Sequence, residues 1–81
     1  MVEKVRMFKE WIERNPLRVW RKERGVTFME LSSILEVNTV SIQQWENGSV
    51  TPRPANLEKL TRLDPSLAKK WDVWLSEKPV L

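Results

Sequence analysis

Residues 27–48 read TFMELSSILEVNTVSIQQWENG, and this stretch contains the start and end signals of two helices. A Thr-x-x-Glu capping box that begins at Thr27 predicts the start of a helix that runs to about residue 35. Asn38 is the N-cap of a second helix, which Asn47 and Gly48 bring to an end. The stretch therefore predicts two short helices that are joined by very few residues.

So short a joint makes the two helices cross steeply, and a small residue is needed where they touch. Ser32 stands at this place. A steeply crossed pair of helices with a short turn is the geometry that places a second helix in the major groove of DNA. The residues predicted to face inward are Met29 (or Phe28), Leu31, Ile34, Leu35, Ile42 and Trp45.

The rest of the chain also has helical periodicity and shows no period-two alternation. Asn15-Pro16 is an N-cap followed by a first-turn proline, and Asp64-Pro65 repeats this pattern. Helices are thus predicted at about 2–14, 16–24, 55–63 and from Asp64 to Ser76. Their inner residues are Val2, Val5, Phe8, Trp11, Ile12, Leu17, Trp20, Leu57, Leu60, Leu63, Leu67, Trp71, Trp74 and Leu75. The fold class is all-α, a compact bundle of five to six short helices.

Composition excludes several kinds of function. The 81 residues include no cysteine and no histidine, so no disulfide framework, ordinary zinc site, thiol nucleophile or imidazole base is available. We expect no enzyme activity, no cofactor and no metal. The N-terminus does not read as a signal peptide, and no apolar run is long enough to span a bilayer. A cytoplasmic protein with no membrane contact is expected.

The charges are unevenly distributed along the chain. The net charge is +3, which is too small by itself to indicate a nucleic-acid partner. Residues 1–24 carry a net charge of +4, whereas residues 25–52 contain no Lys or Arg and carry −3. Contacts to phosphate by positively charged side chains must therefore come mostly from outside the two-helix unit.

The run from Leu31 to Gly48 resembles the Cro/phage-repressor (Xre) helix-turn-helix family. That family's ending, Ile-x-x-[aromatic or Leu]-Glu-x-Gly, is matched by Ile42, Trp45, Glu46 and Gly48. The resemblance covers about residues 16–75, because Leu17–Thr27 is similar to the family's first helix, and Pro52 with the Leu57/Leu60/Leu63 helix is similar to the segment after the unit. It implies a lambda-repressor-like fold in one domain, residues 1–81, with residues 1–15 as an additional N-terminal helix.

The resemblance also implies roles for individual residues. Arg21 matches an arginine that pairs with Glu46, and Thr39, Val40 and Gln44 match positions that face base edges, with Gln43 beside them. The amide of Gln44 could pair with adenine, and the methyl groups of Thr39 and Val40 could meet those of thymine. The residues predicted to contact the DNA backbone are Arg18, Thr27, Phe28, Asn38, Ser41, Ser49 and Arg53.

Two positions depart from the family pattern. Glu36 stands where the family usually has glycine, and a left-handed backbone there would cost about 1 kcal/mol or more. Phe28 stands where the family usually has glutamine, so a customary phosphate contact is lost.

The resemblance implies a sequence-specific regulator of transcription that binds double-stranded DNA. We expect a repressor that binds a palindromic operator as a homodimer, because one helix reads too few base pairs for a specific site. Trp20, Trp45 and Trp71 are predicted core residues, and Trp74 is a candidate for the dimer interface. A phage repressor, a plasmid or restriction controller and an antitoxin all fit. The alternative is a protein-interaction module that contacts its partner through Phe28, Val40 and Glu36.

Overall fold

A computed structural model describes residues 2–80 of the chain, without the side chain of Val2; Met1 and Leu81 lie outside the described residues. Within residues 2–80 the chain forms helices and no strand, which confirms the all-α bundle of short helices. No helix in this part of the chain is long and apolar enough to cross a membrane. The helices are α1 (Val2–Glu13), α2 (Pro16–Glu23), α3 (Phe28–Leu35), α4 (Thr39–Glu46), α5 (Pro54–Leu63) and α6 (Leu67–Ser76).

Three helices, α2, α3 and α4, begin at the caps that the sequence predicts. Asn15 Oδ1 accepts hydrogen bonds from the backbone N–H groups of Leu17 and Arg18, each at 3.0 Å. The capping box of α3 is complete, with Thr27 and Glu30 bonded to each other's backbone N–H groups at 3.1 Å. The side chain of Asn38 caps α4 in the same way. These bonds satisfy first-turn donors that have no partner within a helix.

The joint between α3 and α4 consists of residues 36–38. Glu36 has φ 56° and ψ 45°, so the left-handed backbone predicted for this position is present in a residue that has a Cβ atom. Ser32 Oγ donates a hydrogen bond to the Val37 carbonyl oxygen and thereby ties α3 to the turn. Lys59 on α5 donates to the Glu36 carbonyl oxygen at 3.4 Å, where a cation is favourable because a helix ends there.

The core takes side chains from all six helices. α3 packs against α4, and α6 packs against both α2 and α5. The buried apolar residues are Trp11, Leu17, Leu31, Leu35, Ile42, Trp45, Leu60, Leu67, Trp71 and Trp74.

Two inner-face predictions are wrong, because Val5 and Ile34 are 57% and 55% exposed. Of the two alternatives for α3, Met29 is 76% exposed. Phe28 takes the inward position that was left open between it and Met29, and packs against the core. The helices α1 and α3 therefore bury a narrower stripe than their apolar residues predict.

A pair of tryptophans connects the first and last helices of the chain. The indole rings of Trp11 on α1 and Trp74 on α6 are stacked, with centroids 3.9 Å apart and an angle of 1° between the planes. Each indole N–H donates to the carbonyl oxygen of the other residue at 2.6 Å. Trp74 is only 2% exposed, so its predicted place at a dimer interface is wrong. Because Trp11 is fully buried, α1 contributes to the core of the bundle.

The last helix begins later than the sequence pattern predicts. Asp64 and Pro65 do not start α6; they lie in a turn, and the helix starts at Leu67. Asp64 Oδ1 accepts hydrogen bonds from the backbone N–H of Ser66 at 2.9 Å and from its hydroxyl at 2.8 Å. These two bonds hold the pKa of Asp64 below its ordinary value.

The two glycines give a matched test of the packing around Trp11. Gly25 and Gly48 both have positive φ, 64° and 79°, but a Cβ at Gly25 would meet nothing within 4 Å. A Cβ at Gly48 would lie 2.8 Å from the Trp11 ring. We expect Gly25→Ala to lower the free energy of unfolding by about 1–2 kcal/mol, the cost of a left-handed alanine. Gly48→Ala should lower it further, because the Trp11 ring is buried and stacked. Equal losses in urea denaturation would contradict this packing.

Candidate nucleic-acid interface

α4 has two chemically different sides. Ile42, Trp45 and Glu46 are buried on one side. On the other side Val40, which is 54% exposed, lies with the exposed residues Gln43, Gln44 and Asn47. The four predicted base-contacting residues therefore lie on α4 away from its buried side, although Thr39 is half-buried. This outer side carries amides and methyl groups and no charge.

The C-terminal end of α4 is held by an ion pair with α2. Arg21 Nε donates to Glu46 Oε2 at 2.9 Å, and a terminal nitrogen of Arg21 donates to Glu46 Oε1 at 3.1 Å. The side chains are 12% and 2% exposed, so the pair is almost fully buried. The predicted pairing of Arg21 with Glu46 is confirmed. A bidentate pair of this kind restricts orientation as well as distance.

Two further contacts hold the same end of α4. Asn15 is fully buried, and its amide nitrogen donates to the Trp45 carbonyl oxygen at 3.2 Å. Gly48, just past the helix, lies against the Trp11 ring. α1 and α2 thus hold the end of α4 through an amide, an ion pair and a packed ring, while Val40, Gln43, Gln44 and Asn47 on its outer side are exposed.

Phe28 has a role that was not predicted from the sequence. The Arg21 guanidinium carbon lies 4.0 Å from the centroid of the Phe28 ring, in a cation–π contact. Arg21 also donates to the Val26 carbonyl oxygen at 3.2 Å. The half-buried ring of Phe28 therefore contacts Arg21 and the core, and its predicted DNA contact stays a prediction. The sequence did hold one indication of this role: Phe28 is an apolar residue directly after the Thr27 cap, and Arg21 was already predicted to form an ion pair.

The first turns of α3 and α4 offer backbone N–H groups. Thr27 and Asn38 are exposed, and each accepts a hydrogen bond that caps its own helix, from Glu30 and Val40 respectively. Other N–H groups of the first turn, such as that of Ser41, have no carbonyl partner within the helix. Such groups, together with the helix dipole, favour an anion.

The remaining predicted backbone contacts lie outside the two helices. Ser49 and Arg53 follow α4 and are exposed, whereas Arg18 on α2 is half-buried. Lys59, which was not predicted, adds a positive charge at the turn between α3 and α4. The cations close to this unit therefore come from α2, α5 and the segment before α5.

Comparison of the chain with protein-family models, with characterised proteins and with solved structures gives no match.

The ion pair predicts an asymmetric response to mutation. Arg21→Met removes the cation and leaves the Glu46 carboxylate at 2% exposure, so we expect the free energy of unfolding to fall by about 3–5 kcal/mol. Glu46→Gln keeps the side-chain volume and one hydrogen-bond acceptor, so it should lower the free energy of unfolding clearly less than Arg21→Met does. Chemical denaturation monitored by tryptophan fluorescence measures both.

Arg24→Met is the matched control for this comparison. Arg24 lies close to the same helix, 4.4 Å from the ring centroid of Trp20, but it is exposed and has no carboxylate partner among residues 2–80. Its replacement should cost less than about 1 kcal/mol, the usual value of an exposed cation–π contact. If Arg21→Met and Arg24→Met lowered the free energy of unfolding equally, the buried Glu46 carboxylate would not depend on Arg21 for its stability.

Proposed function

We propose that this protein is a sequence-specific DNA-binding regulator of transcription, and that α4 enters the major groove of double-stranded DNA. The observation that carries the proposal is the contrast between the two sides of α4. Its inner side and its C-terminal end are held by buried contacts, whereas Val40, Gln43 and Gln44 on the outer side are exposed. Polar side chains presented on a firmly held helix are what direct reading of base edges requires.

The chemistry of the outer side suits base edges. A glutamine amide can donate to and accept from adenine at once, which is worth about 1–3 kcal/mol of discrimination against another base. The methyl groups of Val40 and Thr39 fit the methyl group of thymine. An exposed valine gains little from water, so Val40 is better explained by a partner surface than by solvent. Gln44 and Val40 are therefore the proposed principal readers.

The proposed backbone contacts surround this reading helix. The N-terminal ends of α3 and α4 offer N–H groups to phosphate, and Arg53 and Arg18 offer charge. The unit itself carries no Lys or Arg between residues 25 and 52, so affinity depends on these flanking groups. We propose a repressor of the Cro/phage-repressor type that acts in the cytoplasm and binds a palindromic operator as a homodimer.

A second candidate function is contact with another protein through the same two helices. Met29, Ile34 and Val40 are exposed apolar side chains on α3 and α4, at 76%, 55% and 54%. Apolar exposure on two helices that themselves carry no Lys or Arg is more typical of a protein interface than of a phosphate contact. An antitoxin-type subunit would use such a surface.

Selection of randomised duplex DNA tests the reading helix. We expect the wild-type protein to enrich a two-fold symmetric motif, and Gln44→Ala to lose preference at one position in each half-site, because one bidentate contact has gone. Met7→Ala is the matched control: it truncates a long, exposed side chain on α1 and should leave the motif unchanged. No enrichment at low salt with folded protein would contradict the DNA proposal and favour the second candidate.

The salt dependence of binding tests the backbone contacts. If Arg53 neutralises one phosphate, Arg53→Ala should reduce the slope of log affinity against log salt by about 1 and weaken all sequences alike. Fluorescence anisotropy at several salt concentrations measures the slope. An unchanged slope would remove Arg53 from the interface. Binding to a protein partner that barely depends on salt would support the second candidate.

A further inference from the structure

A groove of about 730 Å³ lies between α2 and α6. None of the residues assigned to DNA lines it. Its apolar lining includes Val19 and Val73, which are 41% and 52% exposed, beside Trp20 and the well-buried Trp74. Exposed apolar side chains on two adjacent helices, away from the proposed DNA surface, need a separate explanation.

The charges around the groove have both signs. The cations are Arg14, Arg24, Lys69 and Lys70, and the anions are Glu23, Asp64 and Glu77. A small ligand of a single sign would be attracted by one part of this rim and repelled by another. A protein surface that itself carries both signs can match it, and a charged surface that matches itself in a two-fold contact must place opposite signs opposite one another.

One stripe along α6 and the residue that caps its C-terminal end, Glu77, is self-complementary in this way. Lys69, Val73 and Glu77 follow at intervals of four residues, all are exposed, and all line the groove. Residues four apart lie on the same side of a helix. When two such helices run antiparallel about a two-fold axis at Val73, the residue four before the centre faces the residue four after it. Lys69 of each copy then meets Glu77 of the other, and the two Val73 side chains meet at the axis.

We propose that the occupant of this groove is a second copy of the chain, held by antiparallel contact of the two α6 helices centred on Val73. The proposal deepens the proposed function and rests on it in one respect, since it supplies the dimer that a palindromic operator requires. It leaves the outer side of α4 free in both copies. The contact uses the exposed side of α6, whereas Trp74 remains inside its own bundle.

Sedimentation velocity of the purified protein across a concentration series, without DNA, tests the proposal. The wild-type chain should sediment as a dimer, and Val73→Glu should raise the dissociation constant by at least about tenfold, because two carboxylates would meet at the axis. Val5→Glu is the matched control, as Val5 is 57% exposed on α1, and should change nothing. Circular dichroism confirms that both variants are folded.

Charge reversal then tests the register. Lys69→Glu and Glu77→Lys should each weaken the dimer, because each places like charges opposite one another. The double variant restores opposite pairs and should recover the wild-type dissociation constant. A monomer at every concentration, a dimer that Val73→Glu leaves intact, or a double variant no better than the single ones would each overturn the proposal. Because no DNA is present, such a failure is distinct from a failure to bind an operator.

Discussion

The fold depends on the buried ion pair between Arg21 and Glu46. A carboxylate at 2% exposure is tolerated only when a cation and hydrogen bonds compensate for the water it has lost, and Arg21 supplies both. The same guanidinium contacts the Val26 carbonyl oxygen and the ring of Phe28. The side chain of Arg21 therefore connects α2 with the segment between α2 and α3, with α3 and with α4. Such a pair adds little net stability compared with apolar packing, but an arrangement of the helices that separated its partners would leave a buried charge unpaired.

The local features of the fold could be predicted from the sequence because they depend on neighbouring residues. The caps at Asn15, Thr27 and Asn38 follow from side chains a few positions apart, whereas the left-handed Glu36 was considered only because the resembled family usually has glycine there. The pairing of Arg21 with Glu46 is different, since 25 residues separate the two. It was predicted only through a resemblance to a family, and the geometry agrees with it.

The errors of prediction have a common physical origin. Helical periodicity shows which side of a helix is apolar, but not how much of that side its neighbours cover. Val5 and Ile34 lie at helical spacing with buried residues and are exposed, because no described element packs over them. Trp74 was assigned to an interface since the partner that buries it, Trp11, is 63 residues away and no local pattern connects them. The predicted start of the last helix at Asp64 was wrong for a related reason, because an Asp-Pro pair can either start a helix or form a turn.

The paired tryptophans have a consequence for how the molecule unfolds. Their reciprocal hydrogen bonds join the first and last helices across 63 residues, so the backbone is closed almost into a ring. Closing so long a loop costs conformational entropy early in folding, and contacts of this separation form slowly. Once formed, they attach the first and last helices to the core at Trp11 and Trp74, close to the termini where small helical bundles usually fray. A proteolytic cut that removed α1 would take away the Trp11 ring that packs against both Trp74 and Gly48. Loss of the first helix would therefore also weaken the packing of the last helix and of the C-terminal end of α4.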